Sequence, residues 1–390
     1  MATRSSRSTE SAHAVVAGDL EGDVTVAARF FDTRAAYSMF VTATDEKSVV
    51  ADRLGQELPR LSVTHPGLRV FDAGMGDGSL LTQLMRHMHQ AFPFIPWLVV
   101  AKEISIEDVR QALARLPDRF LEHPEMVFVV TNHHFRDAPS LPSPEGTVWR
   151  DVALEGSTTN DFTEQIEGLF GQLARDWRVR TSPVTGNPLY VDPAVLVLYR
   201  SDRRFLLEPL IPDRTTKTRH EYGLMIASQA YRARTPIESK VRNVLVPLAR
   251  ALAPGGRLVG VHARGDDPGL EIIRSIWPSE DPFPHRRQAI LAEAARQLAD
   301  DSGLSFPGLS DDEAVFQFRL HTMPSEEAEH IGTSSIVAAW NAATYVAQID
   351  EERLAAATST GVYLDATRRV MQRHGGIWWN NERYVITRNL

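Results

Sequence analysis

The stretch Leu68–Met85, read as L-R-V-F-D-A-G-M-G-D-G-S-L-L-T-Q-L-M, constrains this chain more than any other. A short apolar run, Leu68, Val70 and Phe71, ends in the acid Asp72. Glycines follow at alternate positions, Gly74, Gly76 and Gly78, and then Leu81, Leu84, Met85 and Met88 recur at helical spacing. A buried strand, a sharp turn and a helix start predict one β-turn-α unit of an α/β protein. Glycine at such a turn permits φ > 0 and lets a ligand approach the backbone where a Cβ would collide. The helix start is expected to add free N–H groups for a negatively charged end of that ligand.

The pattern then repeats. Pro93 and Pro96 stop the first helix near Phe92. Trp97–Ala101 reads as a second strand ending at Lys102 and Glu103, and Ser105-x-x-Asp108 opens a helix that runs to Arg115. Met126–Val130 makes a third strand, followed by T-N-H-H. This β-α-β-α-β order predicts a parallel sheet with its ligands at the carboxyl ends of the strands.

From Ser140 to Thr218 the alternation breaks. One helix is expected over Asp161–Trp177, and a hairpin over Ala194–Leu207 that turns at Ser201-Asp202-Arg203. The alternation resumes with a strand at Tyr222–Ala227. Thr235-Pro236-Ile237-Glu238 has the signature of a helix start capped by Thr235, with an apolar stripe from Ile237 to Leu252 behind it. Pro254-Gly255-Gly256 ends that helix before a fifth strand, Arg257–His262. Helices are expected over Pro284–Asp300, Ser335–Gln348 and Tyr363–His374, with strands at Val315–Leu320 and near Tyr384–Thr387. Ahead of the core, Phe30, Phe31, Tyr37, Met39 and Phe40 give an aromatic face, and Val50, Leu54, Leu58 and Leu61 a helical one. The resulting division is a disordered tail (1–23), an N-terminal helical lid (24–66), a core (67–139 and 219–390) and an insertion (140–218) that is a possible substrate subdomain.

The glycine spacing separates ligand classes. A dinucleotide fingerprint, G-x-G-x-x-G, would place its third glycine at Ser79. Here the third is Gly78, and an acid closes the strand. A ligand with an amino-acid end carries an ammonium and a carboxylate together, so it needs an acid beside donors. Asp72 and the amides of Gly74–Gly78 are expected to supply them. Glu103, at the next strand's end, is placed to accept two hydrogen bonds from a ribose diol.

D-A-G-M-G-D-G after an apolar strand resembles the signature of class I S-adenosylmethionine-dependent methyltransferases. The likeness extends to K-E-I-S at 102–105, E-Y-G-L-M-I-A-S at 221–228 and L-A-R-A-L-A-P-G-G-R-L-V at 248–259. It implies a Rossmann-like α/β fold, a seven-stranded mostly parallel sheet with helices on both faces, and S-adenosyl-L-methionine as cofactor. It also implies cofactor contacts at Asp72, Gly74, Met75, Gly76 and Gly78, ribose contacts at Glu103 and Ile104, adenine contacts at Asn132 and His133, and a contact at Ser228. The Pro93–Pro96 extension makes the spacing from Asp72 to Glu103 longer than the family usually shows.

The acceptor is less legible. The expected reaction is methyl transfer to nitrogen or oxygen of a small molecule, with His133, His134 and Tyr231 as candidate bases. A protein side chain is an alternative acceptor, and a non-catalytic SAM-binding scaffold a different class. A formal net charge of −8 argues against a general grip on nucleic acid. No apolar run approaches the ~18 residues of a membrane span. With no cysteine there is no disulfide and no thiolate ligand, which fits a reducing, cytoplasmic compartment. No metal site is expected, because Glu327-x-x-His330 lacks the second motif a di-iron centre needs. A homodimer is compatible with all of this.

Overall fold

A computed structural model describes residues 34–183, 188–214, 221–321 and 331–390. The tail at 1–23 and the Glu327/His330 pair lie outside the described residues. Twelve strands are described: β1 (Leu68–Asp72), β2 (Trp97–Lys102), β3 (Met126–Thr131), β4 (Val148–Leu154), β5 (Val179–Thr181), β6 (Pro188–Tyr190), β7 (Ala194–Arg200), β8 (Tyr222–Ser228), β9 (Leu252–Ala263), β10 (Leu304–Ser305), β11 (Val315–Arg319) and β12 (Trp378–Arg388). All but β5 and β6 join one sheet.

Its centre runs β3-β2-β1-β8-β9, all parallel, and β12 follows antiparallel on β9. β11 lies antiparallel on the far side of β12. This is the doubly wound order 3-2-1-4-5 closed by an antiparallel pair, with its switch point between β1 and β8. The central strands are apolar on both sides because both faces are covered; every residue of β3 is buried.

Two layers of helices follow from that order. On one face α1 (Arg34–Ala43), α2 (Glu46–Gly55), α3 (Ser79–Ala91) and α4 (Ile106–Ala114) are described. The buried side chains of α2, α3 and α4 pack with Val70, Val99 and Leu224 in one cluster. On the other face Val241, Val244, Leu248, Ile290 and Ala294 pack against Phe71, Met225 and Tyr384. A third cluster joins Phe40 of α1 to the helices Thr333–Val346 and Val362–His374 and to Trp379 of β12.

The segment between β3 and β8 departs from its expected form: the one helix expected over Asp161–Trp177 is two, Thr159–Gly168 and Phe170–Asp176. Ala194–Leu207 is not a hairpin. β7 runs antiparallel to β3, and Ser201–Arg203 then continues helically into Arg204–Leu207. β4 pairs parallel to β7, so this segment widens the sheet beyond β3. The start expected at Thr235 also shifts. Pro236 is extended, the helix begins at Ile237, and no side chain caps it. Gly255 keeps its turn at φ +73, yet β9 runs through it from Leu252 to Ala263.

A fully buried acid closes the sheet's second face. Glu382 of β12 receives the Arg287 amide at 2.7 Å, its guanidinium at 3.0 Å, and sits 3.1 Å from His262 Nε2. Burial alone would raise its pKa, but His262 and Arg287 outweigh it and hold the carboxyl at about 2, against an ordinary 4.5. A depressed carboxyl stabilises the fold above its unfolded pKa and loses that contribution as pH falls through the folded one. Acid titration followed by circular dichroism should therefore show wild-type stability falling between about pH 4.5 and pH 2. Glu382→Gln should flatten that limb.

Candidate functional site at the β1–β8 switch point

β1 ends at Asp72, whose carboxylate is fully buried. Oδ1 accepts the Gly74 amide at 3.1 Å, while Oδ2 has no partner. Burial pushes this carboxyl up to about 6, with Glu103 adding to the rise. On the adjacent strand, Ser228 ends β8, buried and with an unpartnered Oγ. Buried polar atoms are nearly always hydrogen-bonded, so two orphans at neighbouring strand ends make this end of the sheet the candidate ligand site.

The turn between β1 and α3 takes the form its glycines permit. Gly76 and Gly78 have φ of +55° and +77°. A Cβ at Gly78 would stand 2.7 Å from Cβ of Ala112, and one at Gly76 would stand 2.7 Å from the Tyr37 hydroxyl. A Cβ at Gly74 would meet nothing within 4 Å.

The expectation of free donors in this turn is not met. Every backbone N–H from Ala73 to Ser79 has a protein acceptor. Ala73 donates to the Ile226 carbonyl, Met75 to that of Lys102, and Gly78 to that of Met75. Gly76 donates to Glu103 Oε2 at 2.9 Å, Asp77 to the Tyr37 hydroxyl at 3.5 Å and Ser79 to Asp77 Oδ1 at 3.3 Å. Three acids, Asp72, Asp77 and Glu103, thus take amides that sequence reasoning assigned to a ligand.

Glu103 stands where it was expected, at the end of β2. Its Oε1 also accepts the amides of Ile104 and Ser105 at 2.7 and 2.9 Å. Trp177 of the inserted segment donates its indole N–H to the Glu103 carbonyl at 3.0 Å, pinning that segment beside the strand end. Asn132, expected beside the adenine, has both amide atoms engaged by the protein. Its Nδ2 donates to the Asp192 carbonyl and its Oδ1 accepts the Ala194 amide, so the side chain fastens β7 to the end of β3.

Of the three candidate bases, His133 and His134 both lie beside Tyr190, and Tyr231 lies beside Tyr384 of β12. His133 is buried with Nδ1 against the Thr131 hydroxyl, and burial drives its pKa to about 4. His134 is partly exposed, its ring 4.9 Å from that of Tyr190, and the burial of its inner part together with the Lys102 charge lowers its pKa. Tyr231 shares a 2.8 Å hydrogen bond with Tyr384, and burial raises its pKa. A weak imidazole and a neutral phenol are poor proton acceptors near pH 7.

Sequence reasoning missed Tyr37 and Lys47. Tyr37 projects from α1 onto the glycine turn, donating to Asp77 Oδ1 at 3.0 Å. Arg34, one turn earlier, pairs with Asp108 of α4 at 3.1 Å. These contacts dock α1 over the turn; Phe30 and Phe31 of the expected aromatic face lie outside the described residues. Lys47 lies in the first turn of α2, 2.9 Å from Glu46 Oε2 and 5.9 Å above the Tyr37 ring. A cation in a helix's first turn opposes the macrodipole, and that is the one local sign that it serves something else. Beside it Tyr345 stacks on Phe40 at 4.8 Å.

The strand order, the antiparallel closing pair and the acid-ended β1 with its glycine turn make a Rossmann-like α/β fold, the fold expected from the resemblance of the glycine turn. No protein-family model matches the chain, and no curated protein sequence matches it. Solved structures similar to it include a Galdieria sulphuraria protein described as a sarcosine dimethylglycine methyltransferase (8% identity, TM-score 0.36, covering 87% of this chain and 85% of that one). Geranyl diphosphate methyltransferase with GPP and sinefungin is another (13%, 0.33, 87% and 78%), as is YjhP from E. coli (11%, 0.33, 89% and 93%). At such scores the fold assignment stands on the strand order and the turn.

No helix among the described residues is long and apolar enough to cross a membrane. No cluster of metal-ligating side chains occurs among them either.

Proposed function

We propose that this protein is an S-adenosylmethionine-dependent methyltransferase acting on nitrogen or oxygen of a small molecule. The observation that carries the reading is the pair of unpartnered buried atoms, Asp72 Oδ2 and Ser228 Oγ, on neighbouring strand ends beside the glycine turn. They fit a zwitterionic cofactor. Asp72 would take its ammonium, Ser228 would add a hydroxyl, and Glu103, with three amides already on its carboxylate, would take one ribose hydroxyl with the site left on Oε2. Bound there, S-adenosylmethionine supplies an electrophilic methyl carbon.

The chain's own part is to hold, align and exclude water. Tyr37 covers the turn from above, its ring 5.8 Å from that of Tyr345, which stacks on Phe40. A small acceptor would have to be held about 3–3.5 Å from the electrophile. Because His133, His134 and Tyr231 are not arranged as a base, the reading favours an acceptor with a free lone pair, such as a neutral amine.

Calorimetry should show binding of S-adenosylmethionine and of its demethylated product. Glu103→Ala should weaken both about tenfold, one charged hydrogen bond's worth. Incubation of a cell extract with methyl-labelled cofactor should place label in the low-molecular-mass fraction. Label confined to protein would transfer the reading to side-chain methylation, and absence of binding would end it.

A further inference from the structure

The amino-acid end of the proposed cofactor carries a carboxylate, and the glycine turn has no donor left for it. From Ala73 to Ser79 each N–H is engaged, and three of those seven bonds end on carboxylates. An anion brought to this turn would meet Asp72, Asp77 and Glu103, so a cation has to come from outside it.

The described cations nearby are mostly committed. Arg115 is bound to Asp77, with Nη2 at 3.0 Å from Oδ2 and Nε at 3.0 Å from the carbonyl. Arg34 is paired with Asp108, and the Lys102 ammonium lies 4.6 Å over the Phe135 ring. Lys47 is paired too, with its neighbour Glu46 at 2.9 Å, but its ammonium lies 5.9 Å over the Tyr37 ring and its charge acts on both Asp72 and Asp77. Its side chain is four-fifths buried. Removing an ammonium from water is costly unless acids compensate it, and here Glu46, Tyr345 and Asp77 outweigh burial and hold it charged.

An α-ammonium and its α-carboxylate share one carbon, so their protein partners must lie close together. Lys47 meets that condition toward Asp72: its charge reaches Asp72, and its ammonium lies 5.9 Å over the ring of Tyr37, whose hydroxyl sits on the same turn at Asp77. Resting on the cofactor reading above, we infer that Lys47 is the cation that receives the cofactor's carboxylate. The second lid helix is then a wall of the cofactor site, and the site is complete only with α2 seated. Glu46, which holds Lys47 meanwhile, keeps the ammonium in place until the carboxylate arrives.

The test compares three ligands on wild type and on Lys47→Met by calorimetry. These are S-adenosylmethionine, its decarboxylated analogue, and methylthioadenosine, which lacks the amino-acid end. Loss of Lys47 should weaken S-adenosylmethionine about 10- to 100-fold, as for one charged hydrogen bond. The other two ligands should change less than about threefold, and Lys47→Arg should recover much of the preference for the carboxylate.

Methylthioadenosine serves as the check that the variant is folded. Equal weakening of all three ligands would make Lys47 a structural residue and overturn the inference. Unchanged affinity for S-adenosylmethionine would overturn it too. Failure of wild type to bind S-adenosylmethionine would instead remove the cofactor reading on which the inference rests.

Discussion

Glu57→Ala should destabilise the fold by about 3–5 kcal/mol, read as a lower urea midpoint at unchanged slope. Glu57 is fully buried just beyond α2. Its Oε1 accepts from Arg383 of β12 at 2.8 Å and from Arg60 at 2.9 Å, and its Oε2 accepts from Arg257 of β9 at 2.7 Å. One carboxylate thus ties the lid segment to the junction of β9 and β12. Arg383 is itself 4% exposed and also donates to the carbonyls of Arg53 and Glu313. Truncation leaves that guanidinium buried without a counter-charge, which costs far more than losing a surface pair. Glu57→Gln keeps the shape and part of the hydrogen bonding, so it should lie between wild type and alanine. A loss below 1 kcal/mol for alanine would mean that water reaches Arg383.

That cluster also shows which parts of the structure the sequence carried. β1, β2 and β3 were legible because a parallel strand covered on both faces is a continuous apolar run, and the helices between them because their buried stripes recur every three or four residues. Val315–Arg319 alternates in the same readable way, whereas of Trp378–Arg388 only the apolar part around Tyr384–Ile386 was legible, because the polar Asn380–Arg383 interrupts it. β4 was not legible. Val148–Leu154 contains Trp149, Arg150 and Asp151, at the far edge of the sheet where one face meets solvent, and its partner β7 lies beyond the intervening helices. Ala194–Leu207 misled because Ser-Asp-Arg suits a turn, while Phe205–Leu207 continues it helically.

The site divides along the same line. Asp72, the glycines, Glu103 and Ser228 belong to local strand-turn patterns and could be found from them. Tyr37 and Lys47 could not, because nothing in their own neighbourhood shows that α1 and α2 fold back over a turn about 30–40 positions away. The donors of that turn were misjudged for the same reason. Spacing shows which N–H groups a helix start leaves free, and it does not show which side chains from other strands come to take them.

Asp72→Asn should produce opposite effects on stability and on binding. The Asp72 carboxyl is fully buried and pushed up from 3.8 to about 6, so its ionised form at pH 7 costs the fold about 3 kcal/mol. A raised carboxyl costs nothing while protonated in both states. Its penalty grows as pH rises from about 4 and is complete just above pH 6. An asparagine keeps an oxygen for the Gly74 amide and sheds the charge. The variant should therefore match wild type near pH 4 and exceed it in melting temperature at pH 7.5. Its affinity for S-adenosylmethionine should fall about 100-fold or more at pH 7.5, because the cofactor's ammonium then enters a buried site without its counter-ion. In wild type the affinity should decline as pH drops below about 6 and Asp72 takes up a proton, and methylthioadenosine should show no such decline. Greater stability together with weaker binding is what a residue retained for its ligand predicts. A variant less stable than wild type at pH 7.5 would place Asp72 among the supports of the fold instead.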